Sequence, residues 1–471
     1  ANDNSGAMVV ADLLDSDPVT KKPLDYLDLA ARLEQEVRQK HQSPEFDVAI
    51  IGFAKEIGDI ADGATSVVRF FLLAFVLTAL SVWIYSRSWA LTGLTLLCSL
   101  VSVVWQFGTL RLLGYGLDPL AVLVPFLVFA IGVSHGVQQI NYISKEVCTG
   151  VDTMTAARRS FTGLLIPGTM ALVTAFVGFA TLTLIPIPMI RELGITASIG
   201  VAYKIVTNLV MLPLAVSYFR FDEAFVERVN RERDRLARIM GWLLRGFTPR
   251  NAALGTLAGA ALFAVAFFQS HGRHIGHLQP GAPELHADSR YNRDANEIVS
   301  RFDLGLDVLS VVVEAPKDGC YDHATMEYVN QFGWQMQNVP GVLSVASAPL
   351  LAKQAFSGFN EGNPKWAALP QDPKALANAI SMAPEGTGLW NPGCTVLPVH
   401  LYLADHKATT IKAVVGAVKA FREAHPSERV KIRLASGNVG VQAATNEVLE
   451  ATELPMMLYV YLTIVALVFL T

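Results

Sequence analysis

Long apolar runs set the pattern of this chain. Five of them follow one another closely, a sixth comes after a polar stretch, and a seventh begins near Leu454. A helix needs ~20 mostly apolar residues to cross a bilayer, so each run is predicted to be a membrane-spanning helix. The first six runs cover roughly residues 66–85, 89–113, 119–143, 162–185, 193–219 and 251–269.

The segments 1–64 and 270–453 carry the shorter, mixed patterns of water-soluble structure. In the second segment, alternating and helical spacings predict the order β-α-β-β-α-β, which is a ferredoxin-like unit. An insertion at 353–393, with Gly, Pro and Trp, interrupts this order. A loop of that length is usually functional or disordered, so contact with a substrate or partner stays one of two interpretations.

The chain also contains an internal repeat. Residues 46–78 and 430–463 share one plan: a predicted strand ending near a glycine, Gly52 or Gly437, then an acidic amphipathic helix that runs into a membrane helix. Each copy is preceded by another predicted helix. Repeats of this kind are common in transporters, and we expect the chain to be a fragment, most of one half plus the start of a second.

Composition narrows the class of protein. The chain is 52% hydrophobic and 17% charged, with a mean hydropathy of +0.37, which is too apolar for an ordinary soluble protein. A net charge of -4 provides no basic surface for nucleic acid. Since no catalytic triad, phosphate loop or metal cluster is placed to work, we expect neither an enzyme nor a cofactor.

Positive charge orients the predicted helices. The basic residues lie in alternate connectors between the apolar runs. The first connector holds Arg87, the third holds Lys145, Arg158 and Arg159, and the fifth, 220–250, holds eight arginines. Basic connectors face the cytoplasm, so both water-soluble segments are predicted on the opposite side. The 220–250 connector itself has the mixed charge and helical spacing of a solvated or membrane-surface helix.

The third apolar run ends in a polar stretch, "AIGVSHGVQQINYI", at 130–143. At 100° per residue, its polar side chains fall within about 160° of arc. We therefore predict one polar face that points into the bundle or a hydrated cavity rather than lipid. The polar side chains are Ser134, His135, Gln138, Gln139, Asn141 and Tyr142.

His135 is the first candidate for a proton relay, because imidazole changes charge near neutral pH; the alternative is a neutral histidine that bridges helices. Ser134, whose hydroxyl does not titrate, suits helix packing or water binding better than proton donation. Gln138, Gln139 and Asn141 either hold water in a relay or stabilise the helix end near the cytoplasmic surface.

Lys204 is a second ionisable group inside a run, with Asn208 one turn further on. A buried lysine loses its proton readily. It either couples to the 130–143 stretch or acts as a fixed cation in a ligand cavity, with snorkelling to the surface as the plain alternative.

Cys320 and Cys394 both lie in the second water-soluble segment. An oxidising compartment permits a disulfide there, and we predict that the two cysteines are bridged. Cys98 is predicted inside the membrane and Cys148 in a cytoplasmic connector.

Three stretches carry a family resemblance: "DPLAVLVPFLVFAIGVSHGVQQIN", "PGTMALVTAFVGFATLTLIPIPMIRELGITASIGVAYKIVTNLVMLPL" and "LQPGAPELHADSRYNRD". They resemble the RND superfamily, specifically the exporter branch related to MmpL-type and hopanoid transporters. The resemblance implies an α-helical polytopic membrane protein with α+β ferredoxin-like periplasmic porter domains. It also implies an RND fold with a sterol-sensing-domain-like helix bundle, in the bacterial inner membrane.

The resemblance divides the chain into consecutive parts. They are the end of a first porter domain (1–64), transmembrane helices two to six (65–219), a cytoplasmic Arg-rich connector (220–250), transmembrane helix seven (251–269), a second periplasmic porter domain with the insertion 353–393 (270–453), and the start of helix eight (454–471).

One departure from the family pattern bears on mechanism. Members usually carry an Asp-Tyr pair in the fourth helix. Ile131, Gly132 and Val133 match the residues before that pair, which falls here on Ser134 and His135. Proton coupling therefore runs through another group, or it has been lost.

The resemblance implies export or trafficking of lipids or other hydrophobic or amphiphilic molecules, driven by the proton-motive force. A lipid- or sterol-sensing protein without pumping, passive lipid exchange, and a SecDF-like translocation motor are the alternatives. The implied partners are a hydrophobic or lipid substrate, membrane lipids, and periplasmic or outer-membrane lipid-handling proteins, with a homo-oligomer left open and no nucleic acid.

Overall fold

The computed structural model describes residues 6–11, 13–14, 16, 21–116, 121–244, 246–270, 273–278, 281–302, 305, 307–382 and 387–470. Residues 383–386 of the predicted insertion, 245 of the connector and 471 lie outside this set. The chain divides into two compact units. Residues 1–61 and 274–447 form the first, which we call the outer unit; residues 62–273 and 448–471 form the second, the helical unit.

The described part of the chain is mainly helical. In chain order its α-helices are α1 Tyr26–Arg32, α2 Gln39–His41, α3 Phe53–Ser86, α4 Trp89–Leu112, α5 Val124–Cys148, α6 Thr153–Thr181, α7 Pro188–Lys204, α8 Leu212–Val216, α9 Glu223–Leu244, α10 Pro249–Ser270, α11 Arg290–Phe302, α12 His323–Gln337, α13 Ala348–Phe359, α14 Pro373–Ser381, α15 Ala408–Ala424 and α16 Asn438–Leu470.

Seven helical stretches in the described residues are long and apolar enough to cross a membrane. The prediction of a multi-pass membrane protein is therefore confirmed. The candidate spans are Arg69–Ser86, Trp89–Leu112, Ala121–Cys148, Thr153–Leu184, Pro188–Val216, Pro249–Ser270 and Asn438–Phe469.

The core of the helical unit lies among α4, α5, α6 and α7, which pack against one another. Local signals set where these helices begin: the Ser88 side chain caps α4, and Asp152 caps α6 by accepting a hydrogen bond from the Thr155 amide at 3.0 Å. A π-helical segment, Ile205–Met211, joins α7 to α8.

The Arg-rich connector forms α9. Its first turns are anchored by Phe225, which is buried in the core of the helical unit and stacks on Phe221. Arg87 pairs with Glu232 at 2.8 Å. The arginines of its later turns, at 231, 233, 235 and 238, are exposed, as the mixed-charge pattern predicts for a solvated or membrane-surface helix.

The outer unit contains a four-stranded antiparallel sheet in the order β2-β3-β1-β4. The strands are β1 Asp307–Glu314, β2 Val342–Ala346, β3 Val396–Leu403 and β4 Lys431–Ser436. Central strand β1 pairs Val311 with Val399 of β3 and with Leu434 of β4. Alternate residues of β3 are buried, so the period-two pattern correctly indicated one core-facing side.

Two predictions for the outer unit are wrong. The stretch 353–393 is not an open loop, because it contains the end of α13 and all of α14, whose Leu376 and Ala379 are fully buried in the domain core. Residues 46–52 do not form a strand. No strand pairs with them among the described residues; side chains bind their backbone instead.

The internal repeat is visible at the two glycines. Gly52 and Gly437 both have positive φ, +117° and +85°, a conformation that glycine adopts without steric cost. Each glycine directly precedes one of the two longest helices, α3 of 34 residues and α16 of 33. The second copy has its predicted strand, β4, whereas the first does not.

A buried ion network holds residues 46–52. Asp294 of α11 accepts a hydrogen bond from Arg38 Nη2 at 2.6 Å and from the Ile50 amide at 3.0 Å. Arg38 also donates to the Val48 carbonyl, and Arg290 pairs with Asp47 at 2.8 Å. The "SRYNRD" part of the recognised motif thus binds the backbone that a sheet neighbour would otherwise satisfy.

Asp294→Ala should weaken this network. Arg38 and Asp294 have side chains only 6% and 4% exposed. Since Arg38 keeps its pair with Glu34 at 2.9 Å, the loss is that of the buried hydrogen bonds to Asp294, which costs roughly 1–3 kcal/mol. The free energy of unfolding should fall by that amount in denaturant titration. As a control, Asp28→Ala removes a pair that is 66% and 60% exposed and should change stability little.

Cys320 and Cys394 are joined by a disulfide, with their Cα atoms 5.4 Å apart and a separation of 74 positions in sequence. Both residues are buried in the core of the outer unit. The bridge connects the turn before α12 to the segment before β3, and so encloses the insertion. Cys98 and Cys148 are free thiols.

We expect Cys320→Ser to destabilise the outer unit, because a bridge across so long a loop contributes about 4 kcal/mol by the chain-entropy estimate. Thermal unfolding without reductant should occur at lower temperature in the variant, while Cys148→Ser should match wild type. Peptide mapping under non-reducing conditions that recovered both thiols free would contradict the bridge.

Candidate functional site

A stripe of polar side chains runs along α4 inside the helical unit. Its five members are spaced three or four residues apart, which places them on one face of the helix. All are at most 2% exposed: Thr92, Thr95, Ser99, Ser102 and Gln106. This stripe was not among the features predicted from the sequence, although the spacing of its hydroxyl groups within an apolar run was visible there.

Lys204 faces this stripe. It ends α7, is completely buried, and its Nζ donates a hydrogen bond to the Ser99 carbonyl at 3.0 Å. Gly132 of α5 lies on the other side of the ammonium group. A Cβ atom at Gly132 would overlap Lys204 Nζ and lie 2.8 Å from Ser99 Oγ. The absence of a side chain at Gly132 therefore makes the slot that holds the lysine.

Asn208 extends the same site by one turn. Its side-chain amide donates to the Gly132 carbonyl, and its oxygen accepts from Thr207 Oγ1 at 3.1 Å. A Cβ at Gly136 would lie 3.6 Å from Asn208 Nδ2 and would overlap the Thr95 methyl group. Lys204 and Asn208 thus meet α4 and α5 where small residues allow close approach, as in other membrane helix packing.

The site contains more polar groups than hydrogen bonds. Among the described residues, the buried Ser99 Oγ, Gln106 Oε1 and Ser198 Oγ have no hydrogen-bond partner, and no carboxylate forms an ion pair with Lys204. A buried cation without an anion is costly. Chemically, such a site favours whatever removes or balances the charge: proton loss, water or an anionic group.

The predicted polar face of α5 does not point into the bundle as a whole. Gln139 is buried, and its Oε1 accepts from Ser160 Oγ. Ser134, Gln138 and Asn141 are exposed on the surface of this chain. The described helices of this chain therefore do not cover these three side chains, and an inward face shared by all of them stays a prediction.

Glycine packing explains the orientation of α5. Gly132, Gly136, Ile140 and Ile143 are buried and lie on the side of the helix opposite Ser134. α5 can approach α4 and α7 closely only where its side chains are small, so the face with Gly132 and Gly136 lies inward. The polar groups on the other side of the helix are therefore turned outward.

His135 lies at the edge between these two faces. It is half-buried, and its Nδ1 is 2.9 Å from the carbonyl of Ile131 on its own helix. In the part of the chain described, no hydrogen bond or ion pair joins His135 to Lys204. The structure brings together Lys204 and Asn208, but it leaves His135 outside their contacts.

An apolar cavity of about 560 Å³, open to the surface of the helical unit, lies between α3 and α5. Aromatic rings form one wall: Phe71 contacts Phe126 with centroids 4.6 Å apart, and Phe129 at 5.7 Å. Val67, Ala74 and Leu127 complete the apolar lining. Nothing in the sequence indicated this cavity, because its lining residues are like those of any other membrane helix.

Within the described residues, no group of three His, Cys, Asp or Glu side chains could hold a metal ion. The candidate site is therefore the polar slot around Lys204, with the apolar cavity as a second feature of the same unit.

Comparisons with known proteins show which proteins the chain is similar to. Residues 17–250 match the sequence profile of the MMPL family. A protein of Methanocaldococcus jannaschii, named as a membrane protein, is 29% identical over 135 residues, which is 28% of this chain and 34% of the relative. The multidrug resistance protein MdtC of Yersinia pseudotuberculosis is 26% identical over 155 residues, 32% of this chain and 15% of the relative.

MdtC of Pectobacterium atrosepticum is 23% identical over 148 residues, 30% of this chain and 14% of the relative. The chain thus spans about a third of the archaeal relative's length and less of the multidrug resistance proteins. The seven candidate spans and the match to the MMPL family both indicate a membrane protein. The chain belongs to the MMPL family, and its similarity to the multidrug resistance proteins relates it to the RND superfamily.

Proposed function

We propose that this chain is part of a secondary transporter that uses the proton-motive force to move lipids or other hydrophobic or amphiphilic molecules from the inner membrane into the periplasm. The observation that carries the proposal is Lys204: a fully buried ammonium group whose recorded hydrogen bond is to a backbone carbonyl. An ionisable group inside a membrane bundle is expensive and is usually functional.

Lys204 is the group to which we assign proton coupling. When a proton arrives, the charged ammonium needs more polar contacts than the Ser99 carbonyl provides, and the unpartnered Ser99 and Gln106 oxygens lie on the helix it faces. When the proton leaves, the neutral amine fits the glycine-lined slot. The two protonation states therefore favour two packings of α4, α5 and α7, which is what a transporter needs in order to alternate.

The backbone beside Lys204 supports such a change. The π-helical segment Ile205–Met211 begins directly after it and contains Asn208. Segments of this kind are often found at functional sites, because a register change within the helix costs little there. His135, outside these contacts, is a second candidate that the same experiment tests, while Ser134 has no side-chain hydrogen-bond partner among the described residues.

The apolar cavity between α3 and α5 supports a hydrophobic substrate. Its volume of about 560 Å³ lies within the range of ordinary ligand pockets, and aromatic rings with aliphatic side chains suit acyl chains or other apolar groups.

The outer unit supports a periplasmic location. Its order of strands and main helices is that of a ferredoxin-like porter domain, and its disulfide suits an oxidising compartment. We assign it as the porter domain of an RND fold, and the α3–α8 helices as the sterol-sensing-like bundle.

The outward polar stripe of α5 supports a helical neighbour. Ser134, Gln138 and Asn141 are exposed on a membrane helix, where unsatisfied polar groups are unfavourable. We propose that a polar helix of the same transporter covers them. Lipid-handling proteins of the periplasm or outer membrane, and membrane lipids, are the further partners.

A lipid-sensing protein without pumping is the second candidate. The observation in its favour is the absence of a carboxylate at 134–135, where Ser and His stand instead. A translocation motor of the SecDF kind has no specific observation in its favour.

The test is transport by the full-length protein in proteoliposomes with an imposed pH gradient, using a fluorescently labelled phospholipid as the probe. Lys204→Met should reduce transfer to the rate seen without a gradient, because methionine fills the slot but cannot bind a proton. Lys204→Arg should also fail, since arginine keeps its charge.

Lys145→Met, which removes an exposed lysine from α5, is the matched control and should transport as wild type does. If Lys204→Met keeps its response to the gradient, the coupling assignment is wrong, and loss in His135→Ala alone would move it to His135. If wild type transfers lipid equally with and without a gradient, the protein is not proton-driven.

A further inference from the structure

Strand β4 is an edge of the sheet in the outer unit. It pairs with β1 on one side, and the order β2-β3-β1-β4 places no described strand beyond it. In the described part of the chain, the backbone of residues 431–434 makes no hydrogen bond outside the ladder with β1. An edge strand of this kind presents a row of unpaired N–H and C=O groups, which is a template for a further strand.

An open groove of about 640 Å³, which we call the β4 groove, follows this edge. The consecutive residues 430–434 line it together. Successive side chains of a strand point to opposite faces of the sheet, so a groove over one face would be lined by every second residue. Since all the residues from 430 to 434 line the β4 groove, it runs along the backbone edge of the strand.

Helices form the other wall of the β4 groove. Lys419 and Arg422 lie in the last turns of α15, Glu447 lies on α16 and Tyr328 on α12. The Tyr328 hydroxyl donates to the His425 carbonyl at 2.7 Å, which joins α12 to the end of α15. The open edge of β4 therefore faces a helical wall, and an exposed sheet edge is where extended peptides add as a further strand.

Cationic side chains line the β4 groove on both faces of the sheet. Ile432 is buried in the same core as α12 and α15, so its neighbours Lys431 and Arg433 point to the opposite face. Lys419 and Arg422, which belong to α15, lie on the helical side. An added strand would therefore meet positive charge on each of its two faces.

Two of these cations are already balanced and two are not. Lys419 and Arg433 have carboxylate partners at 2.6 and 2.9 Å. Arg422 and Lys431 are exposed, and neither has an ion-pair partner among the described residues. One uncompensated positive charge is thus present on each face of the same strand edge.

Lysine on an edge strand often serves to keep other strands away. Lys431 alone would fit that role. Arg422 does not fit it, because it belongs to α15 and lies on the opposite wall of the groove. Cations on both sides of an unpaired backbone favour a strand that carries carboxylates, since complementary charge selects the partner.

We propose that the β4 groove binds an extended acidic segment of another protein, which adds to the four-stranded sheet as a fifth strand. Two adjacent carboxylate side chains of such a segment point to opposite faces, so that one meets Arg422 and the next meets Lys431. The unpaired backbone groups of β4 provide affinity along the strand, and the two cations select an acidic sequence. This surface does not depend on the Lys204 assignment.

The test measures peptide binding to the full-length protein in nanodiscs of phosphatidylcholine. The probe is a short fluorescent peptide with two adjacent glutamates among threonines and valines. Fluorescence anisotropy should show saturable binding that weakens as the salt concentration rises. Hydrogen exchange of residues 430–434 should slow when the peptide binds, while that of α14 should not change. The same peptide with N-methyl groups throughout its backbone should not bind, because it cannot pair with β4.

Charge reversal in the β4 groove provides the variants. Arg422→Glu and Lys431→Glu should each weaken binding of the acidic peptide roughly tenfold, because like charges then meet across the edge. Lys374→Glu makes the same change of net charge at an exposed lysine of α14 and should bind the peptide as wild type does. Since Arg422 and Lys431 are exposed, both variants should keep the unfolding temperature of wild type.

Several outcomes would overturn the proposal. They are the absence of saturable binding up to about 1 mM peptide, equal binding of the N-methylated peptide, and unchanged affinity in both groove variants. If exchange of residues 430–434 does not slow on binding, the peptide does not lie on β4. Full displacement of the peptide by phosphatidylglycerol in the nanodisc would assign the groove to lipid headgroups instead.

Discussion

The packing of the helical unit depends on a buried lysine. Lys204 has no exposed surface, and its ammonium group fits only because Gly132 has no side chain at that point. The helices must therefore approach closely at one place and present polar atoms there. The serines and threonines of α4 supply those atoms, with Asn208 one turn away. In a membrane, where water cannot satisfy these groups, this one requirement fixes which faces of α4, α5 and α7 meet.

The same requirement explains the exposed polar side chains of α5. Once Gly132 and Gly136 face Lys204 and Asn208, Ser134, Gln138 and Asn141 must point the other way. The family's usual carboxylate position is on this outward side, so a group that replaced it would not meet Lys204 within these helices. Lys204 belongs instead to a separate polar slot, which is why we assign coupling to it rather than to His135.

In the outer unit, charged side chains bind backbone groups that a neighbouring strand would usually bind. Asp294, Arg38 and Arg290 bind residues 47–50 where a second strand would be expected from the repeat.

Much of this structure follows from the sequence alone. Apolar runs of sufficient length favour membrane spans, and alternation in "VLPVHLYL" favours a half-buried strand, so the seven candidate spans and the four strands were predictable. The presence of ionisable groups at 135 and 204 was also readable. Tertiary structure decided the rest. The rotation of α5, the partner of Lys204, the helices within 353–393 and the missing strand at 46–52 depend on contacts with residues far away in sequence. Local pattern gives the side chains that can pack or titrate, but only the packed chain determines which of them meet.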